Sequence, residues 1–154
     1  MSSQPIIGYD SARPETIPAD AAAVFPYADG QFAWSHKRFP RARYRYITVA
    51  GNPHADIADY EPGAIWGSEA LLAWAHTRLE TYPASDLTVY VDRVNFPFVR
   101  AVMHEAGLTW HLFLSVGPDP ILNTFDGMPV RACQRFGHGF DTDYVFEPEW
   151  LNLP

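Results

Sequence analysis

The chain has 154 residues, 47% of them hydrophobic and 15% aromatic, which suits one domain with a sizeable core and excludes a disordered chain. Its net charge of −7 argues against a nucleic-acid partner and gives no overall pull toward acidic cell-wall polymers. The single cysteine, Cys133, excludes an internal disulfide and a cysteine-rich zinc site, and no apolar run reaches the ~18–20 residues of a membrane span.

Strand and helix patterns alternate along the chain without an internal repeat, so residues 1–154 read as one domain. The polar start, Met1 to Pro5, lacks the charged-then-apolar plan of a signal peptide. The expected location is therefore cytoplasmic until lysis, or on a virion. Pro5 to Tyr9 is a short apolar run ending at Asp10, a buried strand by pattern. A helix is predicted from about Thr16 to Ala28, with Thr16 as its cap and Pro18 in its first turn. Tyr44 to Val49 reads as a strand stopped by the turn cluster Ala50-Gly51-Asn52-Pro53.

The strand predicted from Ala55 to Glu61 carries the most informative pair. Side chains two apart on a strand share a face, which would set Asp59 and Glu61 side by side, roughly 6.5–7 Å apart. Two acids at an apolar strand end suit acid–base chemistry on a glycosidic bond. Ser68 then opens a helix with Leu71, Leu72, Ala75, Leu79 and Tyr82 on one stripe, ended by Pro83. After a strand from Leu87 to Val91, Asn95 caps a second helix, with Phe98, Val99, Val102, Met103 and Ala106 on one face. Strands follow at Trp110 to Val116, Val130 to Phe136 and Phe140 to Phe146, with loops alone between the last of them.

Strands separated by helical stretches predict parallel βαβ units. The expected fold class is α/β, a TIM-like β/α barrel that is incomplete, with βα units first and bare strands at the C-terminal end. An open doubly wound sheet is the alternative, but no Gly-rich phosphate loop follows the first strand. In a parallel barrel the strand C-termini share one face, so Asp10, the pair Asp59 and Glu61, and Asp141 with Asp143 would converge there.

The ordered set Gly8-Tyr9-Asp10-Ser11, Asp59-Tyr60-Glu61, Tyr90, and Gln134 ahead of Asp141-Thr142-Asp143 resembles the lysozymes of glycoside hydrolase family 25. The resemblance spans nearly the whole chain. It implies that Glu61 is the general acid and that Asp59 stabilises positive charge or orients a substrate acetamide. Asp10 and Asp141 would complete the catalytic set. Tyr9, Tyr60, Trp66, Tyr90, Gln134 and Asp143 would bind substrate, a cell-wall glycan of peptidoglycan type. No cofactor is implied. Neighbouring carboxylates raise the pKa of one member, which is the electrostatic condition this chemistry needs.

The chain also departs from that pattern. Only 49 positions separate Asp10 from Asp59, too few for two βα units and a further strand. An aromatic-His strand is replaced by Tyr44-Arg45-Tyr46, a late Trp-Gln-Tyr by Cys133-Gln134-Arg135, and Asp-x-Asn by Asp141-Thr142-Asp143. A second function class follows from these departures: a catalytically degenerate barrel serving as a phage virion component or a cell-wall-binding module. An incomplete barrel exposes strand edges, which a homo-oligomer or virion partner proteins would cover. A third reading makes Asp10, Asp59, Asp141 and Asp143 oxygen ligands for Mg²⁺ or Ca²⁺ in a hydrolase. The six histidines show no metal-ligand spacing, Cys133 reads as a buried inert thiol, and no Gly-x-Ser-x-Gly elbow occurs. His36-Lys37-Arg38 with Arg41, Arg43 and Arg45 is the one basic cluster, a solvated face or a grip for an anionic glycan or protein.

Overall fold

Short β-rich runs, held by period-2 alternation, frame this molecule. The computed structural model describes residues 4–83 and 86–152. Its strands are β1 (Ile6–Asp10), β2 (Ala23–Val24), β3 (Arg43–Tyr44), β4 (Ile47–Thr48), β5 (Ile57–Asp59), β6 (Thr88–Asp92), β7 (His111–Ser115), β8 (Thr124–Phe125), β9 (Met128–Arg135) and β10 (Asp141–Val145). The α-helices are α1 (Ser68–Leu79), between β5 and β6, and α2 (Phe96–Glu105), between β6 and β7.

All ten strands belong to one sheet, ordered β3-β2-β1-β10-β9-β7-β6-β5-β4, with β8 paired to β9 off that path. β10 runs antiparallel to both β9 and β1, and the other neighbours on the path are parallel. The sheet curls until its two end strands, β3 and β4, are successive stretches of one segment. Arg43, Arg45 and Ile47 donate backbone hydrogen bonds to the carbonyls of Ala22, Val24 and Pro26, and Ala28 donates to Ile47. A parallel bridge between Tyr27 and Ile47 joins one end of the path to the other. The curled sheet is consistent with the incomplete barrel expected from the sequence.

The fold is mixed α/β with a curled sheet and few helices. The expected order of βα units first is corrected: the first strand connections carry only short 3-10 turns, Pro14–Thr16 and His36–Arg38. No α-helix spans Thr16 to Ala28. Prolines at 14, 18 and 26 disfavour a continuous helix there, and the segment instead enters the sheet as β2. The strand expected from Tyr44 to Val49 is split into β3 and β4. In α2, Asn95 occupies the cap position without a side-chain cap bond, and Phe98 faces solvent while Phe96, Val99, Val102 and Met103 are buried.

Alternation sorts the core into two shells. Ala58, Val89, Val91, Leu112, Leu114 and Cys133 face outward and pack with Leu71, Trp74, Val99 and Met103 of the helices. Residues on the other face point inward. The inner apolar layer holds Phe25, Ile47, Ile57, Phe113, Ala132 and Val145, closed below by Trp150 and Leu151. A register shift in the β7–β9 pair leaves Arg131 as an extra residue, and its guanidinium donates to Thr88 Oγ1 at 3.0 Å and to Glu147 Oε2 at 2.9 Å. Arg45 ties the C-terminal turn to the base of the sheet, donating to the Trp150 carbonyl and, with Arg78, to Asp56 Oδ1 at 3.3 and 3.0 Å.

Gly8 shows how tightly the inner layer is filled. A Cβ built there would lie 2.8 Å from Phe25 Cε2 and 3.1 Å from the Ala23 Cβ. Phe25 cannot yield easily, because its ring packs edge-on to Phe113 and stacks on Trp150. Gly8→Ala is expected to cost about 1–3 kcal/mol through overpacking, read as a melting temperature lower by several degrees. An unchanged melting temperature would remove this account of the Gly8 position.

Candidate active site

The period-2 rule that fills the inner layer also places the polar groups above it. One step of two residues along each strand leads from Ile57 to Asp59, from Phe113 to Ser115 and from Ala132 to Gln134. The same step leads from Phe25 to Tyr27, from Thr88 to Tyr90 and, backwards along the antiparallel strand, from Val145 to Asp143. The register confirms the layer: Asp59 pairs with Tyr90, Ser115 with Gln134, Gln134 with Asp143, Asp143 with Gly8 and Asp141 with Asp10. An apolar floor thus carries a polar tier at the C-terminal ends of the parallel strands.

That tier opens into a cleft of two adjoining hollows that share Tyr27, Asp59 and Glu61. The inner one, about 180 Å³, also touches Tyr90, Gln134, Phe136 and Asp141. The outer one, about 450 Å³, extends past Phe32, Asp29 and Pro62. Phe136 and Phe32 are more than half exposed and flank the two hollows with free ring faces.

A hydrogen-bonded chain runs inward from the cleft wall. Tyr90 Oη donates to Gln134 Oε1 at 2.6 Å, and Gln134 Nε2 donates to Asp10 Oδ2 at 2.7 Å. Burial pushes the Asp10 carboxyl up to about 7, although Asp143, Gln134 and the nearby Tyr27 hydroxyl hold it back. Asp143 lies fully buried beside it, and neither of its carboxyl oxygens finds a donor of ordinary geometry. Burial and the charge of Asp10 drive its pKa well above the usual carboxylate range. Burial and the surrounding acids likewise push the Tyr27 and Tyr90 hydroxyls well above the ordinary tyrosine value, keeping both as hydrogen-bond donors.

Asp59 and Glu61 form the second acid pair. Asp59 is 4% exposed and its Oδ1 has no hydrogen-bond partner. Burial first, then the close Glu61 carboxyl and Asp10, raise its pKa to about 9. Glu61 is exposed at the cleft mouth. The strand β5 ends at Asp59, and Glu61 starts the turn that follows it. In that turn Glu61 N–H donates to Ile65, and Ala64 N–H to Glu61. The Glu61 carboxyl lies near enough to oppose ionisation of Asp59.

The remaining expected residues divide. Asp141 lines the inner hollow and accepts from Gly137 N–H at 3.2 Å, its pKa raised by burial. Tyr9 points to the opposite face of β1, where its ring meets Phe140 edge-on, because it lies one residue from Asp10. Tyr60 is turned away in the same manner and is buried beneath Trp66 at 5.0 Å between ring centroids. Trp66 is 48% exposed on the neighbouring surface and does not line the cleft. Tyr27, Phe136, Phe32 and Ser115 were not anticipated; the pattern of an inward residue two places beyond Phe25 or Phe113 is the signal that identifies Tyr27 and Ser115. Ser11 of the first motif holds the loop above the site, donating to Gly139 O at 2.5 Å. Asp29 is used structurally, accepting from Thr48 Oγ1 and from the N–H groups of Val49 and Ala50.

The acids do not make the oxygen cage of the metal-dependent reading. Among the described residues no three His, Cys, Asp or Glu side chains converge to hold a metal ion. No described helix is long and apolar enough to cross a membrane. No family model, curated protein or solved structure matches this chain.

Proposed function

We propose that this chain is a lysozyme-like glycoside hydrolase acting on a glycan of peptidoglycan type. The observation that carries the reading is the single cleft in which Asp59, Glu61 and Asp141 meet, with Asp10 held directly behind through Gln134. The ordered resemblance of these motifs to family 25 lysozymes supports the same substrate class. Two acids with unequal environments supply the acid and the charge stabiliser that glycoside cleavage requires.

The roles follow from burial. In the empty cleft Asp59 stores the proton of the pair. A glycan seated in the cleft displaces water from the mouth, and removing water from a carboxylate favours its protonated form. The proton then passes from Asp59 to Glu61, which delivers it to the leaving glycosidic oxygen as the C–O bond breaks. Asp59 becomes negative at the moment positive charge develops on the sugar, and it either steadies that charge or orients a substrate acetamide. Water completes the hydrolysis and returns a proton to the pair. Tyr90 and Gln134 fix Asp10 and present polar groups to the sugar. The test is clearing of cell-wall suspensions by the native protein and by Glu61→Gln, with released reducing ends counted.

A second reading, a degenerate barrel acting as a virion or wall-binding module, is favoured by one feature: the aromatic positions Tyr9, Tyr60 and Trp66 do not reach the cleft. Retention on cell walls without release of reducing sugar is its signature.

A further inference from the structure

The net charge of −7 conceals a sharp asymmetry. Residues 30 to 55 contain no Asp or Glu and carry five of the eleven Lys and Arg: Lys37, Arg38, Arg41, Arg43 and Arg45. The rest of the chain holds the other six with all eighteen acids, a balance of −12. Arg45 is buried at the base of the sheet, tied to Trp150 and Asp56. Lys37, Arg38, Arg41 and Arg43 are exposed, and among the described residues none of the four is in an ion pair.

This segment also borders a groove that meets the acidic cleft only at Tyr27. Two hollows of about 470 and 650 Å³ share Tyr46 and His54 and run along the outer side of β3 and β4, where no α-helix covers the sheet. Aromatic and hydroxyl-bearing groups line it. His36 stacks on Tyr44 at 3.7 Å between ring centroids and shares a 2.9 Å hydrogen bond with Tyr46 Oη. Tyr44 remains 40% exposed. Asn52, Ser35 and His54 add neutral hydrogen-bonding groups, and Arg43 enters the lower hollow. The one acid there, Asp56, is already bound by Arg45 and Arg78.

We propose that this groove is a second binding site, for an anionic polysaccharide. Ring faces and neutral hydrogen-bonding groups suit pyranose faces and hydroxyls. Arg43 in the lower hollow, with Lys37, Arg38 and Arg41 exposed on the same segment, suits carboxylates or phosphodiesters spaced along a sugar chain. Duplex nucleic acid is disfavoured, because its charge density of one per ~1.7 Å meets a chain whose remaining surface is strongly negative. The site would hold the protein on an acidic polymer while the cleft on the C-terminal side of the strands stays free.

The experiment is retention of the full-length protein on immobilised polygalacturonate, which carries carboxylates, and on a teichoic-acid-type polymer, which carries phosphodiesters. Neutral dextran and duplex DNA serve as comparisons. Retention on at least one anionic glycan at low salt is expected, together with loss in high salt and weakening of at least tenfold in the Lys37→Gln, Arg38→Gln, Arg41→Gln, Arg43→Gln variant. Which polymer is retained identifies the anion. All four positions are exposed, so the variant is expected to melt at the native temperature, which is measured alongside. Glu61→Gln is expected to leave retention unchanged, which separates this site from the cleft whether or not the protein cleaves sugar. Retention on neither anionic glycan, equal retention of the four-Gln variant, equal retention on DNA, or loss on Glu61→Gln would each overturn the proposal.

Discussion

Glu61→Gln is expected to lower the rate of wall clearing by roughly 10²- to 10⁴-fold, the size of effect that removal of a positioned general acid produces. Glutamine keeps the shape and polarity of Glu61 at the exposed cleft mouth but carries no proton for the leaving oxygen, so binding to walls should survive while turnover does not. Asp59→Asn is expected to be comparably damaging for a different reason. It removes the buried group that stores the proton, whose pKa stands at about 9 because burial, Glu61 and Asp10 all oppose its ionisation. The two variants separate in their pH profiles. In the native protein clearing should fall above about pH 9, as Asp59 gives up its proton. In Asp59→Asn any residual activity should lose that alkaline limb. If the native protein clears no wall, or if Glu61→Gln clears at the native rate, the glycosidase reading fails.

Several parts of this site can be read in the sequence because they depend on a single local rule. An apolar run ending in an acid recurs at Asp10 and Asp59, and both acids lie where such runs place them, at the inner ends of strands. Gln134 and Asp143 follow from the same alternation. The misplaced residues mark the limits of that rule. Tyr9 and Tyr60 sit between or beside the acids in their motifs, yet period 2 itself sends them to the opposite face, where they pack into outer core. The strand that precedes Glu61 ends two residues earlier, so its placement near Asp59 is set by a turn. Around Tyr27 an alanine-rich stretch with a plausible cap reads as helix. What overrides that propensity is non-local: parallel pairing of residues 22–28 with 43–47, which no local pattern announces. Pro26 is compatible with this pairing, since its carbonyl accepts from Ile47 while its missing N–H breaks any helix through it.

The curled sheet also divides the basic segment into a buried and an exposed part. In sequence, Arg45 belongs with Arg41 and Arg43; in the fold, the C-terminal turn covers it and it donates to the Trp150 carbonyl and Asp56, while Arg41 and Arg43 stay exposed. Charge counted over the whole chain averages these two environments away. The same averaging hides the opposite extreme, a cluster of buried acids at the centre of the fold.

That cluster leads to the second large effect, a stability that falls as pH rises. An unfolded Asp titrates near 3.9, whereas folded Asp10 titrates at about 7 and Asp59 at about 9. Between these values the folded chain keeps protons that the unfolded chain releases, so each pH increment favours unfolding. The loss should begin near pH 4, level off for Asp10 near 7, and continue to about 9 for Asp59. A three-unit shift on one fully buried group corresponds to on the order of 4 kcal/mol, or roughly 10 °C in melting temperature for a chain of this size. Asp143→Asn tests the origin of this slope. A protonated carboxyl and an amide have nearly the same shape, and the amide cannot ionise. Its N–H can also donate toward Asp10, which a carboxyl at this position could do only when protonated. The variant is expected to fold, to melt higher than the native protein at pH 8, and to lose at least half of the decline between pH 4 and 7. A native melting temperature that stays flat from pH 4 to 9, or an Asn variant less stable than native at every pH, would show that the Asp10–Asp143 pair does not carry the proton assigned to it.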